Sequence, residues 1–149
     1  MLDLDYRPAL WTSAAEYAVL VGSLVDRSDV VIGTELEIDA AGGEESLISR
    51  LTRPEDVLVR KRGSNGSEVI SRDARESIPP FPVEVLNVFG AGDAFAAGYI
   101  AGICQGLPPV QCATYGNAAG AHVVTRHACA NDMPTMDDLL RTLELGATT

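Results

Sequence analysis

Basic residues are scarce: 11 Lys and Arg stand against 21 Asp and Glu, a formal charge of −10. Nucleic-acid binding draws on clustered Lys and Arg, so no nucleic-acid partner is expected. Cysteine is scarce too. Cys104, Cys112 and Cys129 are odd in number and show no C-x-x-C spacing, which argues against a disulfide framework and against a cysteine-based metal site. No apolar run approaches the ~20 residues of a membrane span. The opening stretch MLDLDYRPALW carries two aspartates where a signal peptide would carry a basic leader. These absences read together as a soluble cytoplasmic protein with reduced thiols and no membrane partner. What is present is 149 residues, 46% of them apolar, enough to bury a core and about one domain's worth. The one basic cluster, Arg60, Lys61 and Arg62, reads on charge patterning as a solvated strand end.

Along the chain, MLDLDY alternates like a strand, and SAAEYAVLVGSLVDRS reads as a helix capped by Ser13 and running to about Asp26. DVVIG is a short buried strand, TELEIDAAGG a short helix ended by glycines, and EESLISRL another helix. DVLVRKRG is a strand leaving into GSNG, with SEVIS as the return strand of a hairpin. After IPPFP the spacing predicts a strand at VEVL, then a glycine loop and a helix to about Gln105. GLPP breaks that helix, and a long one, VQCATYGNAAGAHVVT, follows, with Gly116, Ala119 and Gly120 permitting close packing. RHACANDMP is a loop and TMDDLLRTLEL a capped last helix. Strands alternating with helices indicate an α/β layered fold with a mainly parallel sheet.

The stretch NVFGAGDAF, Asn87 to Phe95, carries the strongest chemical signal. Glycines let a backbone approach a ligand, and the first amides of a helix lack intrahelical acceptors, so Gly90, Ala91 and Gly92 can aim N–H groups at an anion. Asp93 then stands beside that anion, where a carboxylate is unfavourable unless it has chemical work such as accepting a proton from an attacking hydroxyl. The dinucleotide pattern G-x-G-x-x-G fails because Phe95 takes the third glycine's place, and no Gly-Lys-Ser/Thr completes a phosphate-binding Walker loop. What remains suits phosphoryl transfer to an alcohol, which needs positioning, charge stabilisation and one base. The plainer alternative is a turn with Asp93 complementing the helix dipole. A second loop, KRGSNG, places Gly63 and Gly66 at a strand end with Lys61 in reach of a phosphate, or is simply a hairpin turn. His122, His127 and Trp11 read as structural residues, and Cys129 as a loop residue, buried or near a nucleotide.

Taken together these segments resemble the ribokinase family, the pfkB carbohydrate kinases, over essentially the whole chain but over only the C-terminal half of that family's domain. NVFGAGD is similar to the family's Asp-Thr-x-Gly-Ala-Gly-Asp signature. The resemblance implies a ribokinase-like three-layer α/β/α fold, Asp93 as catalytic base, and Gly90, Ala91 and Gly92 as the anion hole. It also implies Lys61, Gly63 and Gly66 in the nucleotide loop and Asn117, 24 positions beyond Asp93, on the helix flanking the adenine. GTELE resembles the family's Asn-x-x-Glu element, with Thr34 in the asparagine position and Glu37 acting indirectly on magnesium; DLDYRP resembles its Asp-x-Asn-x-Arg strand end. ATP and Mg²⁺ are the implied cofactors and a small sugar acid the implied acceptor. Asn87 and Val88 replace the Asp-Thr that opens the signature, so the family's monovalent-cation site does not carry over with the rest. The lid and most of the sugar site belong to the family's N-terminal half. A sheet edge and helix faces left uncovered without it invite self-association or a complementary N-terminal half.

Overall fold

The computed structural model describes residues 1–127 and 130–146. The polypeptide divides into two compact units, the first made of residues 1–62 and 68–76 and the second of residues 63–67 and those from Ser77 onward, so the chain passes between them three times.

The first unit is organised by capped helices between strands. Ser13 Oγ accepts the Glu16 amide at 3.1 Å and starts α1, Ala14–Val25. Thr34 forms a reciprocal capping box with Glu37 and starts α2, Glu35–Ala40. Gly43, at φ +88°, precedes α3, Glu44–Arg50. The strands are β1 (Leu2–Asp3), β2 (Val30–Thr34), β3 (Val57–Lys61), β4 (Ser67–Ile70) and β5 (Arg75–Ile78), and they lie side by side in chain order. β1, β2 and β3 are parallel, with Asp3 opposite Ile32 and Thr34 opposite Lys61. The core joins Leu4, Val31 and Leu58 of this region to Tyr17, Val21 and Val25 of α1 and to Ile38 and Leu47 of α2 and α3. Tyr17 is its polar anchor: its hydroxyl donates to the Leu4 carbonyl at 2.7 Å, and the Trp11 ring meets it edge-on at 5.1 Å, so Trp11 is a packing residue.

In the second unit, α4 (Ala91–Cys104), α5 (Pro109–Val124) and α6 (Met136–Gly146) pack around Ala94, Ala118, Ala119, Val123 and Leu139. Small residues set the α4–α5 distance. A Cβ on Gly98 would stand 2.5 Å from the Tyr115 carbonyl oxygen, and one on Gly116 would meet the Phe95 ring at 2.9 Å. Cys112 is buried and Cys104 exposed, both as free thiols, while Cys129 lies outside the described residues. Among the described residues, no helix is long and apolar enough to cross a membrane.

One expectation is corrected and one element is added. VEVL, residues 83–86, is not a strand: Val83, Val85 and Leu86 are exposed, and the Leu86 and Asn87 amides both donate to the Val124 carbonyl at the end of α5, at 2.8 and 3.1 Å. The strand that does exist nearby is β5, whose Arg75, Glu76 and Ser77 are exposed and only Ile78 buried. A polar strand at the end of the sheet lacks the apolar alternation that signals a half-buried one.

Candidate active site

In parallel α/β sheets ligands gather at the carboxyl ends of the strands. There the first unit collects Asp3 at the end of β1, Thr34 and Glu37 at the passage from β2 into α2, and Lys61 at the end of β3. The Lys61 ammonium donates to Asp3 Oδ1 at 3.0 Å and lies 3.8 Å from Glu37 Oε2. Glu37 Oε2 is itself held by the Thr34 amide at 2.6 Å, so the capping box that starts α2 also aims this carboxylate. Burial raises the Asp3 pKa above the ordinary aspartate value, against the opposing pull of Lys61. Just beyond β1, Asp5 takes a left-handed backbone, φ +38°, and accepts both bonds of the Arg7 Nε at 3.1 Å.

The basic cluster is not a solvated strand end. Arg60 and Lys61 side chains are each only 13% exposed. Arg60 pairs with Glu44 and Glu68, and Arg62 and Arg75 both pair with Glu68. The acidic partners lie 7 to 58 positions from their cations except for Arg62, so charge patterning along the chain could not reveal most of them.

In the second unit the glycine loop leads directly into α4. Gly90 takes a left-handed φ of +79° as the N-cap of α4, and no side chain caps that helix. Gly90, Ala91, Gly92 and Asp93 therefore share one turn at the positive end of a 14-residue helix, with Asp93 exposed in the first turn. The loop is anchored by Asn87: its Oδ1 accepts the Phe89 amide at 3.0 Å and its Nδ2 donates to the His127 carbonyl at 3.2 Å.

Gly63, φ +55°, opens a short 3₁₀ turn closed by the Gly66 amide on the Gly63 carbonyl at 3.0 Å. Gly66, φ +78°, is buried against backbone; a Cβ there would stand 2.1 Å from the Ile78 carbonyl oxygen. Asn117, also buried, donates through Nδ2 to the Ile78 and Pro79 carbonyls at 3.3 and 3.0 Å. Gly66 and Asn117, 51 positions apart in the sequence, thus meet on the same stretch of backbone. His122 is buried on α5, and burial lowers its pKa, which suits a neutral packing residue.

The structure thus brings Lys61 and Glu37 together in one unit, and Gly90 to Asp93 into one turn and Gly66 with Asn117 in the other. Sequence reasoning named DLDYRP as a motif but did not pick Asp3 as a partner of Lys61. It noticed Asn87 only as a departure.

The chain is 34% identical over 146 residues to a 5-dehydro-2-deoxygluconokinase of Clostridium perfringens, covering 92% of this chain and 43% of that protein. It therefore spans less than half the length of the curated relative it matches. Among solved structures, it superposes on aminoimidazole riboside kinase from Salmonella enterica, complexed with aminoimidazole riboside and an ATP analog, with a TM-score of 0.84 at 21% identity over 95% of this chain and 51% of that one. A nucleoside kinase of the ribokinase family from Methanocaldococcus jannaschii gives 0.78 at 23% identity over 96% of this chain and 47% of that one. The fold is ribokinase-like, an α/β architecture present in part. Residues 1–136 match the pfkB family carbohydrate kinase model, and with the glycine loop, the capped glutamate and the strand-end lysine already in place, the chain belongs to the pfkB family of carbohydrate kinases.

Proposed function

We propose that this chain is the nucleotide-side portion of an ATP-dependent kinase that phosphorylates the C6 hydroxyl of 5-dehydro-2-deoxy-D-gluconate, as in myo-inositol catabolism. The observation that carries the reading is the start of α4: a left-handed glycine, a helix without a side-chain cap, and an exposed carboxylate in its first turn. Asp93 accepts the proton of the acceptor hydroxyl as that oxygen bonds to the γ-phosphorus and the bond to the β-phosphate oxygen breaks. The amides of Gly90, Ala91 and Gly92 face the charge that develops on the transferring group. The name of the Clostridium perfringens relative supports this substrate.

Kinases of this family use ATP with a divalent metal. A carboxylate with hard oxygen donors suits magnesium, which keeps several of its waters, so Glu37, aimed by Thr34, fits an indirect role. A bound magnesium ion would supply charge neutralisation for the phosphates of ATP. Lys61 would exchange a carboxylate partner for a phosphate oxygen, Gly63 and Gly66 would let the nucleotide approach the turn, and Asn117 would fix the segment beside it. No monovalent-cation requirement is proposed, because Asn87 and Val88 replace the Asp-Thr that opens the family's signature. The sugar-acid pocket is assigned to residues outside this chain, and exposed Val19, Leu20 and Leu24 on α1 favour self-association or docking of a complementary N-terminal half.

The test is Asp93→Asn in the complete kinase. Turnover of 5-dehydro-2-deoxygluconate should fall by roughly 10²–10⁴ with ATP affinity nearly unchanged. Near wild-type kcat would remove the base assignment and leave the loop a helix cap.

A further inference from the structure

The function proposed above leaves unexplained why the glycine loop holds its place, since no side chain caps α4. The bonds that fix it run through one residue. The Leu86 and Asn87 amides converge on the Val124 carbonyl at the last residue of α5. From there the Asn87 side chain reaches in two directions. Its Nδ2 donates to the His127 carbonyl at 3.2 Å, beyond the helix end, and its Oδ1 accepts the Phe89 amide at 3.0 Å, two residues ahead. Next along the chain, the Ala91 amide donates to the Val88 carbonyl at 3.3 Å and the Ala94 amide to the Gly90 carbonyl at 2.8 Å. The sequence of bonds is continuous from the end of α5 to the first turn of α4.

The anchor at the α5 end is itself reinforced. Arg126 Nη1 donates to the His122 carbonyl at 2.8 Å and lies 3.1 Å from Thr125 Oγ1, while the Thr125 hydroxyl donates to the same His122 carbonyl at 2.8 Å. The orphan His122 carbonyl at the helix end is thereby satisfied twice, which ties Thr125 and Arg126 back to the last turn of α5.

We infer that Asn87 is a positioning residue that sets the start of α4, and with it the proposed anion hole, by clamping the glycine loop to the end of α5. The inference rests on the kinase reading only for its catalytic consequence. Asn is suited to the task because one side chain offers both an acceptor and a donor. Ala offers neither. Asp keeps the acceptor for the Phe89 amide but turns the donor into a second acceptor facing the His127 carbonyl.

The two variants separate these halves. Amide hydrogen exchange is measured residue by residue on this chain and on Asn87→Ala and Asn87→Asp. Asn87→Ala should speed exchange at Phe89 and at Leu86 roughly three- to tenfold, the range expected for loss of one side-chain hydrogen bond. Asn87→Asp should leave Phe89 protected and speed exchange at Leu86 and at position 87. Unchanged exchange over 86–92 in Asn87→Ala, or wild-type exchange at Leu86 and position 87 in Asn87→Asp, overturns the inference. In the complete kinase, Asn87→Ala should lower kcat with KM for ATP held. Faster exchange with unaltered kcat would uphold the clamp and count against the anion-hole reading, so the two can fail separately.

Discussion

The two candidate clusters, one in each unit, are built from opposite materials. At the carboxyl ends of β1, β2 and β3 the groups are charged side chains that hold one another: Lys61 between Asp3 and Glu37, with Arg60, Glu44 and Glu68 farther along. At the start of α4 the groups are backbone amides and small residues, and Asp93 stands exposed, with no ion pair among the described residues. In the first region each charge is held by a partner on another element, so removing one leaves its partner uncompensated. In the second the geometry is the main chain itself. Mutations should therefore act on stability through packing in the second region and on charge balance in the first.

The largest effect on stability should come from closing the α4–α5 gap. Gly98→Val places methyl groups where even a Cβ stands 2.5 Å from the Tyr115 carbonyl oxygen. Such overpacking costs about 1–3 kcal/mol, so chemical denaturation should show a lower midpoint with an unchanged slope. A variant as stable as wild type would mean that the helices separate freely, and the contrast between the regions would dissolve.

Lys61→Met should cost less, about 1–2 kcal/mol at neutral pH, since it leaves partly buried Asp3 and Glu37 carboxylates without their cation. The pH dependence has a definite sign. Asp3 holds its proton more tightly in the folded chain than in the unfolded one, so its contribution to stability falls as pH rises through the raised pKa. Without Lys61 that pKa rises further. The deficit of the variant should accordingly shrink as pH is lowered into the acid range, and denaturation curves at neutral and acid pH measure it. A deficit that grew on acidification would show that the ammonium is not what balances these carboxylates.

A peripheral control sharpens the comparison with the smallest effect. Thr135 caps α6, and its hydroxyl donates to Asp138 Oδ2 at 2.6 Å, which lowers the Asp138 pKa. The stability this supplies is present above the ordinary aspartate pKa and lost as pH falls through the lowered value. Thr135→Ala should move the Asp138 titration upward, as read by NMR of its carboxyl carbon, and leave nucleotide binding unchanged.

The elements most legible in the sequence are those encoded within a few residues. Ser13, Thr34 and Thr135 announce the helices they cap, and the glycine pair around Ala91 announces the start of α4, because capping and left-handed turns are local chemistry. Legibility fails where the deciding partner is distant. VEVL alternates like a strand, yet the Leu86 amide finds its acceptor 38 positions away at Val124. Lys61 looks solvated until Asp3, 58 positions earlier, is brought beside it. The bond from Asn117 to the Ile78 and Pro79 carbonyls is likewise invisible from either segment alone. β5 escapes for a different reason, being too polar to carry a period.

The threefold passage of the chain between its units has a consequence for taking the protein apart. Residues 63–67 belong with the second unit although the chain on either side of them belongs with the first. No single cut yields two pieces that each hold one whole unit: a break after Glu76 strands the glycine turn with the wrong partner, and a break after Arg62 deprives the first unit of residues 68–76. Split-protein reconstitution would therefore need the pieces to find each other before either is complete. Gly63 and Gly66 sit in the segment that would be orphaned.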